Sequence, residues 1–255
     1  MIGKKHLALA GLAWVASMPL SGWAQTDEEK VGKAAAAQVM GAAPLIQVDE
    51  IQKYINTLGQ ALATQSGSHY KWRFGVIKSD AINAFAMPGG YVLLSSGLLK
   101  LLESEDELAF VIAHEIAHVS RRHHYQVVQR QRLADQAAKN LQTVSQDQDT
   151  AKLAQASGQI YARGLDKGAE FEADRVGVEV MTRTGYDPSA AISVLEKLQK
   201  LKGNDPRSEL LFSTHPSPAE RLDMLLQAGI DKLPRPTSQA NATRQNRFQK
   251  MLHAI

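Results

Sequence analysis

Apolar and polar positions recur at a helical period, switch to strand-like alternation, and then return to the helical period for most of the chain. Charged and apolar clusters alternate at helical spacing over 27–64. Within them Val48, Ile51, Tyr54, Ile55 and Leu58 follow an i, i+3, i+4, i+7 pattern, which predicts an amphipathic helix over 48–64. A polar Gly/Ser-containing loop, 65–69, follows. Residues 72–77 alternate and carry aromatic and β-branched side chains, so a strand is expected. Residues 83–87 and 91–94 flank Pro88-Gly89-Gly90, a hairpin signal.

Beyond the hairpin the pattern is helical. A short helix is expected over 95–102. Ser104-Glu105-Asp106-Glu107 reads as a capping box, with acids in the first turn to suit the helix dipole. It opens a helix expected to run through His118 to Arg132. Residues 133–163 are Ala- and Gln-rich, with a polar break at 145–150. A helix over 166–184 ends near Gly185. Asp187 and Pro188 suit the N-cap and first position of the next helix, which runs to Leu201. Residues 203–213 read as a loop, and Ser217-Pro218-Ala219-Glu220 as a second capping box that opens a helix to Ala228. From 231 the chain is a proline-containing polar tail, with a short helix at most over 248–255. There is no internal repeat. The expected class is α+β, one mainly helical domain over 25–230 with a small sheet, followed by a tail over 231–255.

Composition changes this picture at the N-terminus. Lys4 and Lys5 precede a short apolar stretch that ends in Ser21-Gly22-Trp23-Ala24, with small residues at the −3 and −1 positions of a cleavage site. Residues 1–24 therefore read as a secretory signal peptide rather than a spanning anchor. Removing its two lysines leaves 27 basic side chains against 26 acidic, a net charge of +1 instead of +3. The basic isoelectric point is then no argument for a nucleic-acid partner. The chain has no cysteine, which excludes a thiol nucleophile, a thiolate-bound metal, disulfides and a lipidated cysteine. A periplasmic or secreted protein without a lipid anchor is expected.

The chemistry lies in His114-Glu115-Ile116-Ala117-His118. On a helix the two histidines sit about 40° apart, one turn from each other, so both imidazoles reach one ion. Glu115 cannot easily join them, but it reaches a water bound to that ion, as metal-assisted hydrolysis requires. Apolar neighbours such as Leu108, Phe110, Val111 and Ile112 predict burial, where a His-Glu-His cluster without a metal is costly. A third protein ligand is needed. Glu170 and Asp174 are four apart, on one helical face, so Glu170 can ligate while Asp174 hydrogen-bonds a ligand histidine. Glu172 points away. A solvated acidic face near Lys167 is the competing reading.

This set of motifs resembles the HtpX/BepA/LoiP-like zinc metalloproteases, a family that includes the CAAX prenyl protease. HEIAH and the later Glu170-x-x-Ala173-Asp174 carry the likeness, together with the segment 83–90 and Ser213-Thr214-His215-Pro216 through Glu220-Arg221. It covers roughly 27–230. The resemblance implies a zincin-like fold with the sheet beside the HExxH helix and one Zn2+ per chain. It implies His114, His118 and Glu170 as ligands, Glu115 as general base, and Asp174 as an orienting or proton-donating residue. It implies that the strand after Gly90 borders the cleft and pairs with extended substrate. In some relatives a histidine matching His215 is a fourth ligand that keeps the site latent; here a histidine that caps the next helix is the equal alternative. His123 and His124, about 180° and 280° from His114 on a continuous helix, read as a solvated basic turn.

Against this family, neither the membrane helices of the HtpX branch nor the helical repeats of the BepA branch are expected, which weakens a dedicated docking role at the outer-membrane assembly machinery; the likeness is to small LoiP-type members. The expected function is zinc-dependent endopeptidase action on unfolded or misassembled envelope proteins, with peripheral contact to the outer membrane or its assembly machinery. An envelope chaperone or adaptor binding chains along 89–94 is the alternative, and a hydrolase of a non-peptide substrate a weaker third.

Overall fold

The computed structural model describes residues 21–144 and 165–255. Most of the expected signal segment and the expected break at 145–150 lie outside the described residues. Two helices come first, α1 (Ser21–Ala42) and α2 (Asp49–Gln65). Ile51, Ile55, Leu58 and Leu62 of α2 are buried, as their spacing requires. Three strands follow: β1 (Arg73–Ile77), β2 (Ala84–Met87) and β3 (Tyr91–Ser95). β2 and β3 form the expected antiparallel hairpin, turned by Gly89 and Gly90 at φ of 78° and 95°. Such positive φ favours glycine.

The sheet order is β1-β3-β2, with β1 parallel to β3. The strand after Gly90 is therefore central, paired on both sides, and cannot serve as the substrate edge expected of it. The outer edge of β1 is occupied too. Gln52 accepts from the Val76 N–H and donates to the Val76 carbonyl, while Asn56 donates to the Phe74 carbonyl. The remaining edge belongs to β2. Asn83 directs its carbonyl at the Ser95 N–H, so by alternation the backbone groups of Ala84 and Ala86 point outward.

After the short α3 (Ser96–Leu101) comes α4 (Glu105–Ser120), which passes through the middle of the molecule. Every residue of α4 except Asp106 and Ser120 is buried, the mark of a helix enclosed on all sides. Ser104 accepts from the Glu107 N–H at 3.1 Å, as the capping box predicts, while Glu107 accepts from the Glu103 N–H at 2.8 Å. The helix does not continue to Arg132. Arg122 adopts φ 61°, and a new helix, α5 (His123–Val144), starts at a different angle. Left-handed backbone at a non-glycine residue costs energy and interrupts the helical ladder.

The rest is α6 (Lys167–Arg183), α7 (Ala190–Leu201), α8 (Glu209–Thr214), α9 (Pro218–Gln227) and α10 (Ser238–Leu252), with 3-10 turns at Pro206–Ser208 and Ile230–Lys232. Here the structure corrects three expectations. Part of the expected loop 203–213 is helical. Ser217 is left-handed, φ 60°, and makes no side-chain cap, so it is no capping box. The tail is a fifteen-residue helix that buries Phe248 and Met251. α7 also starts late: Asp187 caps a turn by accepting from Ser189, and the helix opens at Ala190.

α4 and α6 pack at unusually short range. A Cβ on Gly177 would lie 3.0 Å from the His114 backbone nitrogen and 3.2 Å from its Cα. Any side chain there would have to push the His114 backbone away by a few tenths of an ångström, so glycine suits this approach.

Candidate metal centre

α4 supplies His114 and His118 one turn apart, and α6 supplies Glu170 and Asp174 one turn apart. Their close packing makes the two pairs face each other. His114 Nε2 and His118 Nε2 lie 2.9 Å apart. Glu170 approaches with Oε1 3.3 Å from His118 Nε2 and Oε2 3.6 Å from His114 Nε2. His215, which follows α8, joins them: its Nδ1 is 3.4 Å from His114 Nε2 and 3.1 Å from Glu170 Oε1. One donor atom from each of these four buried residues lies within 4.8 Å of the others.

These donors fit zinc. A tetrahedral ion with donors at about 2.0–2.1 Å holds them about 3.3–3.4 Å apart, close to the separations between the imidazoles and the carboxylate. The set of imidazoles and one carboxylate is also the zinc type. Glu115 reaches the centre from the side, with Oε1 3.7 Å from His215 Nε2. Its Oε2 is buried without a hydrogen-bond partner. Buried carboxylate oxygens seldom stay unpartnered, and this one suits an incoming water.

Behind the ligands, His114 Nδ1–H donates to Asp174 Oδ1 at 2.9 Å. Arg221 of α9 donates to both oxygens of Asp174, at 2.8 and 2.6 Å, and its Nη1 lies 3.0 Å from Glu170 Oε2. Every one of these groups is buried. Burial opposes charge on Asp174, but Arg221 and His114 outweigh it and hold the carboxyl below its ordinary value. Burial likewise opposes the Glu170 carboxylate; the three histidines around it win, and its pKa falls well below the usual range. Burial and the Arg221 charge disfavour protonated His114, yet Asp174 and Glu170 raise it to about 9. For His118 burial and the neighbouring His114 prevail and push it far down.

Beside Glu115 and His114 lies a small cavity of about 30 Å³, walled by apolar side chains including Leu98, Leu102, Phe110, Val111, Leu198 and Leu211. His215 and Arg221 also line it. Ala84, on the edge strand β2, also lines it.

The profile of the peptidase family M48 matches residues 49–228, from the first turn of α2 to the end of α9. The chain belongs to peptidase family M48. Membership bears out the expected class of enzyme, a metallopeptidase. Similar proteins include the beta-barrel assembly-enhancing proteases of Yersinia pestis and Escherichia coli K12. They are 34% and 35% identical, over 83% and 77% of this chain. The mitochondrial metalloendopeptidase OMA1 of Arabidopsis thaliana is 33% identical over 66% of this chain. The chain spans 46%, 42% and 34% of these three relatives, less than half of each. Among the described residues no helix is long and apolar enough to cross a membrane.

The residues singled out from sequence, His114, Glu115, His118, Glu170, Asp174 and His215, all converge at this place in the fold. Two participants were missed. Arg221 had no role, although two acids one turn apart on a buried face require a counter-charge. His123 is not on a solvated turn: it is buried, with Nδ1 3.0 Å from His118 Nδ1. His124 is half-buried against the same ring, centroids 5.3 Å apart. The angular reading failed because it assumed an unbroken helix through Arg122, and nothing in Arg121-Arg122 signals the break.

Proposed function

We propose that this chain is a zinc-dependent endopeptidase of the cell envelope, with one Zn2+ held by His114, His118 and Glu170. The observation that carries the reading is Glu115: a buried, unpartnered carboxylate beside four converging donors, at the mouth of an apolar cavity. Zinc, when bound, supplies Lewis acidity that makes water acidic near neutral pH and polarises a carbonyl. Glu115 takes the proton of the attacking water and returns it to the leaving amine. Asp174 orients His114; with both oxygens engaged by Arg221 and His114, it is not placed to hand a proton to substrate. The outward backbone groups of Ala84 and Ala86, on an edge strand buried at rest, and the small apolar cavity beside Glu115 mark the side from which an extended chain approaches the centre.

The name of the bacterial relatives, which speaks of β-barrel assembly, supports action on envelope proteins, which we take to be unfolded or misassembled ones, and the N-terminal pattern over 1–24 supports a periplasmic location. Peripheral contact with the outer membrane or its assembly machinery belongs to the same reading. His215 completes the donor set from the side where water must enter, so we assign it a latch that keeps the centre closed at rest. The chaperone alternative loses its surface along 89–94, because that strand is central.

Glu115→Gln tests the reading. The variant is expected to keep one zinc per chain and lose casein cleavage by about 10³-fold or more, while chelator abolishes cleavage by the parent. Cleavage that survives either treatment excludes the proposed mechanism.

A further inference from the structure

We infer that His123, held by Glu172, is a positioning residue that aims the metal ligand His118. The inference deepens the proposed zinc centre and rests on it.

The break at Arg121 and Arg122 folds the start of α5 back toward α4. His123 thereby meets His118 edge to face, with ring centroids 5.1 Å apart and planes at 73°. The contact is between Nδ1 and Nδ1, at 3.0 Å. On its far side His123 Nε2 lies 3.3 Å from Glu172 Oε2, and Glu172 Oε1 lies 3.2 Å from Arg121 Nε.

Donor rules fix the order of protons along this chain. A carboxylate only accepts, so His123 Nε2 carries the hydrogen that bonds Glu172. In the neutral imidazole Nδ1 is then a lone pair. It accepts from His118 Nδ1–H, which leaves the His118 Nε2 lone pair directed at His114 Nε2 and Glu170. Without this arrangement His118 can place its hydrogen on Nε2, where no metal binds. The same logic serves His114 in one step through Asp174.

α6 therefore uses three carboxylates on the two histidines. Glu170 faces the donors, Asp174 stands behind His114, and Glu172 stands behind His118 through His123. The two supports differ in setting. Asp174 is 1% exposed, whereas the Glu172 side chain is 41% exposed. A histidine that only filled space against His118 would need no carboxylate on its other nitrogen.

Zinc affinity by chelator competition, with the cobalt(II) visible spectrum as a report on ligand geometry, tests this on the full chain. His123→Phe is expected to weaken zinc about 10- to 100-fold, the range seen when partners of ligand histidines are removed. Glu172→Ala should weaken it several-fold, and the double variant no more than His123→Phe alone. His123→Gln, whose amide oxygen can accept from His118 Nδ1–H, should recover most of the loss. The thermal midpoint of the metal-free chain should hardly move. Affinity within twofold of the parent in His123→Phe overturns the inference, as does full additivity in the double variant. If His123→Phe does not fold, Glu172→Ala decides: unchanged affinity overturns it. A parent that takes up no zinc removes the centre and both readings, whereas zinc bound equally by parent and variants removes only this one.

Discussion

Arg221 neutralises two buried carboxylates that stand one turn apart on α6 and would otherwise repel each other. It contacts Glu170 and Asp174 together, and it does so from α9 rather than from either helix of the donor set. Removing one partner of a buried ion pair leaves charge unpaired and costs about 3–5 kcal/mol. Arg221→Met is expected to destabilise the metal-free chain by that amount in urea denaturation. Arg221→Lys should recover only part, because an ammonium cannot reproduce the bidentate fork. A loss under about 1 kcal/mol for Arg221→Met would show that water or another cation replaces the guanidinium. At this scale the sequence was informative wherever chemistry depends on spacing along one helix. His114, Glu115 and His118 follow from four positions on α4, and Glu170 with Asp174 from four on α6. Arg221 and His123 depend on where separate helices end up, which local periodicity does not encode.

Among the elements, α10 has the largest gap between expectation and role. Its fifteen residues are mostly polar, so no apolar stripe announces it. Yet Phe248 is fully buried and Arg247 pairs with Glu105, the first residue of α4. Glu105 also accepts from the Tyr54 and Tyr186 hydroxyls, at 2.7 and 2.8 Å. The start of the metal-bearing helix is thus tied to α2, the turn after α6, and α10 at once. Phe248→Ala is expected to cost about 3–5 kcal/mol, on the order of 10 °C in thermal midpoint. A midpoint within about 2 °C of the parent would mean that α10 is only loosely attached. Elements with strong local signals, such as α2, the hairpin and the Ser104 cap, were legible. Those set by a left-handed arginine, by a one-turn helix in a loop, or by a single phenylalanine were not.

Across the whole molecule, the centre lies where three parts meet: α4 with α6, the edge strand β2, and the α8 arm that carries His215. The third is a six-residue helix between the Pro206–Ser208 turn and Pro216, with Leu210 exposed. If the arm is the latch, His215→Ala is expected to raise casein cleavage several-fold while lowering zinc affinity about tenfold. Unchanged turnover with unchanged affinity would reduce His215 to a packing residue.

The glycine contact between α4 and α6 has a consequence for how the donors are held. Where side chains separate two helices, an added methyl is absorbed by changing rotamers. At Gly177 the neighbour is backbone, and a methyl there would press on the His114 nitrogen and Cα. The facing of His114 and Glu170 across the two helices thus depends on a residue with no side chain.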